Sequence, residues 1–320
     1  MKKLIYLIVL IVALSLIVAG CTNSVVPPAE QSKAAKGAIW QVPGDFATIK
    51  DAINSSSVLD GDTIMVGPGE HVGALVTKAV EIKGAGGAVI NDGPAHSSGL
   101  IQGFRILSGG AGATISHFTF EVDLAIMAGD PVNDVTIEHN VFNEPIQGIS
   151  NWRGSGWIIS HNEIINLRTR NGGGIGILIG DYTGITVNDN LVSHNKITGT
   201  LYVDPNDGGG YNGSGIVLYA DFRGGSSGAE EIAYNRVVQN KISLTSDNSG
   251  LVDVIAIELT DSRDDPTNDC VIFDNAIGFN DLRGTELQFA FTPEELEDCN
   301  EISRNLGDNR GHGLSPSVFK

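Results

Sequence analysis

Basic side chains are scarce in this sequence: 20 Lys and Arg stand against 38 Asp and Glu, a formal net charge of -18 over 320 residues. A surface so acidic disfavours nucleic acid and anionic membrane as partners, because both repel it before contact. An acidic polysaccharide would need local Arg or Lys, or a bridging cation such as calcium. Aromatic residues amount to 6%, and no amphipathic helical stretches separate the β-prone segments, which argues against a globular α/β fold. Cysteine is limited to three residues, Cys21, Cys270 and Cys299. One long apolar run exists, Leu4 to Val18, preceded by Lys2 and Lys3.

That run has the form of a secretion signal. It ends Val18-Ala19-Gly20-Cys21, which resembles the lipobox of prokaryotic lipoproteins and implies cleavage before Cys21 and lipidation of its thiol. An uncleaved anchor is the competing reading, since the run just reaches the lower limit for a span. Residues 22–37 carry Pro, Ser, Ala and charge without an apolar period and read as a tether. The expected organisation is a signal peptide at 1–20, lipidated Cys21 and tether at 21–37, an N-terminal cap with a short helix at 38–60, the folded body at 61–305 and a loosely packed tail at 306–320. The address is extracytoplasmic, with the membrane touched only through the lipid. In that oxidising compartment Cys270 and Cys299 are expected to pair. The repeat described next places them about one coil apart, within the reach of a disulfide.

What the chain has in abundance is one phrase. VTIEHNVF at 135–142 returns as IISHNEI, ITVNDNLV, IAYNRV, VIFDNAI and EISRN, aligned on Asn140, Asn162, Asn190, Asn235, Asn275 and Asn305. The intervals are 22, 28, 45, 40 and 30 residues. A fixed core phrase with variable loops is the signature of a solenoid, and the 41 Gly suit its many turns. The asparagines are read as scaffold: Asn tolerates the left-handed backbone of a sharp bend, and its amide can bond the same amide one coil away.

On these phrases, and on the stretches VPGDFATIKDAINSS and GDTIMVGPGEHVGALVTKAVEIKGAG between residues 42 and 86, the chain resembles the pectin-lyase-like superfamily. The resemblance implies an all-β, right-handed, single-stranded parallel β-helix with a short N-terminal capping helix. Phe46, Ile49, Ala52 and Ile53 recur at helical spacing, so one face of that helix can cover the exposed strand edge. The fold hosts lyases, hydrolases, esterases and non-catalytic proteins, so it leaves function open.

A second phrase in each coil offers a candidate site. LAIMAGD, QGISNWR, IGILIGD, GIVLYAD and IAIELTD align Ile126, Ile149, Ile177, Val217 and Ile257 as inward positions. Their ends then stack Asp181, Asp221 and Asp261 on successive coils. Arg223 and Arg263 lie two residues beyond their Asp, and Trp152, Arg153, Tyr182 and Phe222 adjoin the same ridge. Carboxylates and Arg suit catalysis, and aromatic faces with guanidinium groups suit sugars; the competing view is that Asp merely ends strands and starts turns. The run DSRDDPTND makes Asp261, Asp264 and Asp265 candidate calcium ligands. Asp204-Pro-Asn206-Asp207 begins like a calcium loop, but Gly215 stands where an EF-hand needs Glu. TPEELEDC at 292–299 reads as a one-turn helix with Thr292 and Glu295 as a capping box. His139 and His161 precede successive ladder asparagines, no third His or Cys is read in their register, and they are taken as solvated side chains rather than a metal site.

Two functions fit. One is a surface lipoprotein that binds a polysaccharide or glycoconjugate, or serves as a scaffold. The alternative is a polysaccharide-degrading enzyme, a calcium-assisted lyase before a glycoside hydrolase, using Asp181, Asp221, Asp261, Arg223 and Arg263.

Overall fold

The computed structural model describes residues 37–170, 174–206, 212–222, 231–262 and 270–307, together with the backbone of 310–311. They belong to one unit, Gly37–Lys320. Cys21, Arg223, Arg263, Asp264, Asp265, the signal and the tether lie outside the described residues.

The architecture is a parallel β-helix. Among the described residues, strands stack into parallel sheets of ten, nine, seven and three strands. The ten-stranded sheet shows why the sequence folds so: after Trp40 on its first strand, its middle position is aliphatic on every successive coil. Ile64, Ile82, Ile115, Ile137, Ile159, Val192, Val237, Ile277 and Ile302 are register partners from end to end. In the seven-stranded sheet Phe120, Phe142, Ile164, Ile197 and Ile242 form the facing column, and the Phe120 and Phe142 rings stack at 4.9 Å. Each such side chain, fully buried, contributes about 1.5–3 kcal/mol. The sides of the coil are therefore hydrophobic columns, and its corners must deal with backbone polarity.

Among the described residues there are two asparagine ladders, where the six aligned phrases imply one. The first joins Asn140, Asn162, Asn195, Asn240, Asn280 and Asn305, each Nδ2 donating to the Oδ1 of the next at 2.9–3.2 Å. The second joins Asn151, Asn190, Asn235, Asn275 and Asn300 in the same way. Asn190, Asn235 and Asn275 thus belong to a different corner from Asn140, Asn162 and Asn305. The coil steps along the first ladder are 22, 33, 45, 40 and 25 residues; aligning across both ladders displaces the second and fifth. The residue in the left-handed conformation is also the one before the Asn at all rungs but Asn151 and Asn300, as at His139, His161, Asp189, His194, Tyr234, Gln239, Asp274, Phe279 and Arg304. The Asn carries the hydrogen bonds instead. Asn235 Oδ1 accepts from both the backbone N–H and Nδ2 of Asn190, while its own Nδ2 donates to Val187 O, Ala233 O and Asn275 Oδ1.

At the N-terminus helix α1, Ile49–Asn54, buries Ile49, Ala52 and Ile53 over the end of the stack and is capped by the Thr48 hydroxyl. The cap is already part of the solenoid, because Ile39–Val42 pairs in parallel with Thr63–Val66. Asp62 joins the two: its carboxylate accepts from Ala38 N, Trp40 Nε1 and Leu59 N at 2.7–2.9 Å. The Leu59 and Trp40 bonds hold its pKa below the usual carboxylate value against the opposing effect of burial. At the other end Cys270 and Cys299 are disulfide-bonded. The neighbouring turn, Glu294–Leu296, is a 3-10 segment with Pro293 at its N-cap and no side-chain cap bond, so the capping box does not form. Nor does packing end at Leu306, since Arg310–Gly311 adds a strand beside Leu287–Thr292.

Substituting Asn235→Ala strands buried donors and acceptors on two coils and should cost about 4 kcal/mol, whereas Asn305→Ala at the end of its ladder should cost less than half of that in denaturant unfolding. The contribution of Asp62 is present above its unfolded pKa near 3.8 and is lost as pH falls through the depressed native value. Melts from pH 2 to 7 should show this acid dependence reduced in Asp62→Asn.

Candidate functional site

The candidate ridge splits across the nine-stranded sheet: Trp152 takes an outward position, whereas Asp181 and Asp261 stand in the inward column of Ile177, Ile179, Ile257 and Leu259. The sheet's register is set by a column of small residues in which Gly148, Gly176 and Gly215 follow one another. A Cβ at Gly148 would stand 2.6 Å from Gly176 O, one at Gly176 2.5 Å from Gly215 O, and one at Gly215 2.7 Å from Ala256 O. Counting from these glycines, strand Gly213–Ala220 runs one residue further to its Asp than Ile175–Asp181 does. The inward partners are consequently Ile126, Ile149, Ile177, Ile216 and Ile257, and Val217 faces outward with Leu178 and Tyr219.

This shift breaks the expected stack of three aspartates. Asp181 pairs with Ala220, and Ala220 pairs with Asp261, so Asp221 sits one position beyond the column. All three carboxylates are buried, at 0%, 8% and 4% exposure. Asp181 is committed to its own turn: its oxygens accept from Thr183 N, Thr183 Oγ1, Gly184 N and Ile185 N at 2.7–3.2 Å. Asp221 and Asp261 are likewise engaged in interactions. Phe222 is half-buried against the core, and its N–H donates to Ser262 Oγ.

What the ridge does assemble is an aromatic and cationic cluster. Trp152 occupies an outward position level with Gly180, Tyr219 and Thr260 on the next three coils. Gly180 is a required gap, since a Cβ there would lie 2.9 Å from Trp152 Cζ3. Across that gap Trp152 meets Tyr182 edge-on at 5.3 Å and Tyr219 at 6.0 Å. Arg153, in a left-handed conformation with φ 68°, lays its guanidinium 4.4 Å over the Tyr182 ring. Tyr182 is 37% exposed, while Trp152 and Arg153 are half-buried.

Beside this cluster stands Glu258, which sequence reasoning missed. It faces outward, in register with Val217 on the preceding coil and Ala290 on the next. Its carboxylate accepts from Ser214 Oγ, Thr260 Oγ1 and Asn212 Nδ2, and with Ile175, Val217 and Tyr219 these residues line a narrow slot. No run of charge or motif marks Glu258 in the sequence; only the register shows that it faces outward.

No protein-family model matches this chain. No curated protein and no solved structure matches it either.

Two other polar surfaces among the described residues are engaged internally. A groove of about 440 Å³ on the seven-stranded sheet is lined by Glu121, Asn143, Glu144, Ile165, Asn166 and Arg168. There Asn143 donates to Glu121, Asn166 to Glu144, and Arg168 pairs with Asp123 at 2.9 Å. Asp204 accepts from Asn206 N and Nδ2 in a local turn. Among the described residues no group of three His, Cys, Asp or Glu is arranged to hold a metal ion, and no helix is long and apolar enough to cross a membrane. The histidine register is longer than the phrases imply: His117 and His194 join His139 and His161 in one stack. His194 precedes Asn195 of the first ladder, and His117 precedes Phe118, where the Asn is replaced. Burial, then Lys83 and His139, hold the His117 pKa below its ordinary value.

If Asp181 serves its turn, Asp181→Asn should lower stability by about 2 kcal/mol, because an amide NH₂ then faces backbone donors. Thermal unfolding checks this; an unchanged melting temperature would return Asp181 to the pool of reactive groups.

Proposed function

We propose that this chain is a lipid-anchored, extracytoplasmic β-helix of the pectin-lyase-like type that binds carbohydrate without breaking it. The observation that carries this reading is the cluster of Trp152, Arg153 and Tyr182, partly exposed on the outward face of a parallel sheet and flanked by the polar row of Ser214, Glu258 and Thr260. Sugar rings present apolar faces to aromatic rings and hydroxyls to charged and polar groups, and both kinds of partner lie here within neighbouring coils. The Cys270–Cys299 bond fits an oxidising compartment, in keeping with the signal and Cys21. The calcium-assisted lyase is the weaker reading, because Asp181 spends both oxygens on its turn.

A glycan panel tests the proposal. The full chain should retain at least one polysaccharide, and Trp152→Ala should weaken that binding about tenfold or more while leaving the melting temperature within a few degrees. The ultraviolet absorbance of unsaturated uronates should not grow on incubation. Binding that ignores Trp152→Ala would overturn the location, and release of unsaturated product would restore the lyase.

A further inference from the structure

Four histidines that the sugar patch does not use stand in one exposed column. His117, His139, His161 and His194 occupy the left-handed position of successive coils, with φ of 64°, 56°, 56° and 57°. Their rings stack at centroid distances of 5.3, 5.1 and 4.9 Å, with interplanar angles of 16°, 7° and 1°. All four are exposed. The backbone alone does not demand imidazole here, since the same corner on later coils holds Gln239, Phe279 and Arg304 in the same conformation. Histidine therefore recurs on four consecutive coils where other residues serve the turn equally well.

We propose that this column binds a borderline divalent transition ion, Zn²⁺, Ni²⁺ or Cu²⁺, between the ring nitrogens of two successive histidines. Imidazole is the nitrogen ligand these ions favour. Metal–nitrogen bonds of about 2.0–2.1 Å at tetrahedral angles require two nitrogens about 3.4 Å apart. Rings stacked near 5 Å reach that spacing when their edges tilt towards each other, a motion about the broad terminal torsion of an exposed side chain. Water completes the coordination, which is why no preassembled group of three ligands is needed. Glu138 lies beside the column, its Oε2 3.8 Å from His139 Nδ1, and supplies either a further oxygen or a partner for a bound imidazole. Lys83 and Glu81 flank the His117 end, so the pair of His139 and His161 is the less crowded site.

Adjacency is the property to test, and matched double variants isolate it. His117→Gln with His194→Gln leaves the neighbouring pair His139 and His161. His139→Gln with His194→Gln leaves His117 and His161, two coils apart. Both keep the same number of histidines, and Gln is tolerated at this corner, as Gln239 shows. Isothermal titration of the full chain with zinc chloride should give a site that the first double retains and the second loses by about tenfold or more, with thermal unfolding confirming that both fold. Equal binding by the two doubles, or no uptake by the wild type at micromolar concentration, would overturn the proposal. Neither result bears on the sugar patch, which contains none of these residues.

Discussion

Every coil of this solenoid must turn corners, and a corner removes backbone groups from the sheet ladder without releasing them to water. The structure rests on how those groups are satisfied. At two corners an asparagine Oδ1 stands in for the missing carbonyl and accepts from the preceding coil's N–H. The residue before it absorbs the strain of the left-handed turn. Conformation and hydrogen bonding are thus divided between two neighbouring residues, so the strained position varies widely while the amide recurs on every coil from Asn140 on.

The sheets depend on that arrangement. Once the corners are fixed, a three-residue strand such as Leu191–Ser193 needs only one aliphatic side chain pointing inward, and the stack supplies the rest of the core. Loops can lengthen between corners without disturbing the columns, as the unequal coil steps show. The outward face of the nine-stranded sheet gains its aromatic cluster in the same way, from positions that the core leaves unconstrained.

Much of this was legible in the sequence, and the failures have physical causes. The repeated phrase pointed to the solenoid, apolar spacing to the helix at Ile49–Asn54, and the coil register to the Cys270–Cys299 pairing. The phrase did not separate the two ladders, because both corners use the same short wording. The five-residue spacing of Asn190 and Asn195, Asn235 and Asn240, Asn275 and Asn280, and Asn300 and Asn305 was the available signal. Aligning strands on their final Asp misplaced Val217 and Asp221, because close glycine contacts set the register and Asp merely follows. An Asp that folds its own turn and an Asp poised for chemistry look alike in one sequence, and only the hydrogen bonds of Asp181 tell them apart.

The ladders also have a direction. Backbone groups in a β-sheet alternate in direction, but along both ladders each Oδ1 from the second rung on accepts from the preceding coil, while interior Nδ2 groups donate forward to the next Oδ1 and back to a carbonyl of the preceding coil. Two parallel rows of aligned amides therefore run the length of the stack. From the second rung on, their carbonyl oxygens face the N-terminal coils, so a coil added beyond the last rung could join each ladder only by presenting an amide oxygen to Asn300 or Asn305.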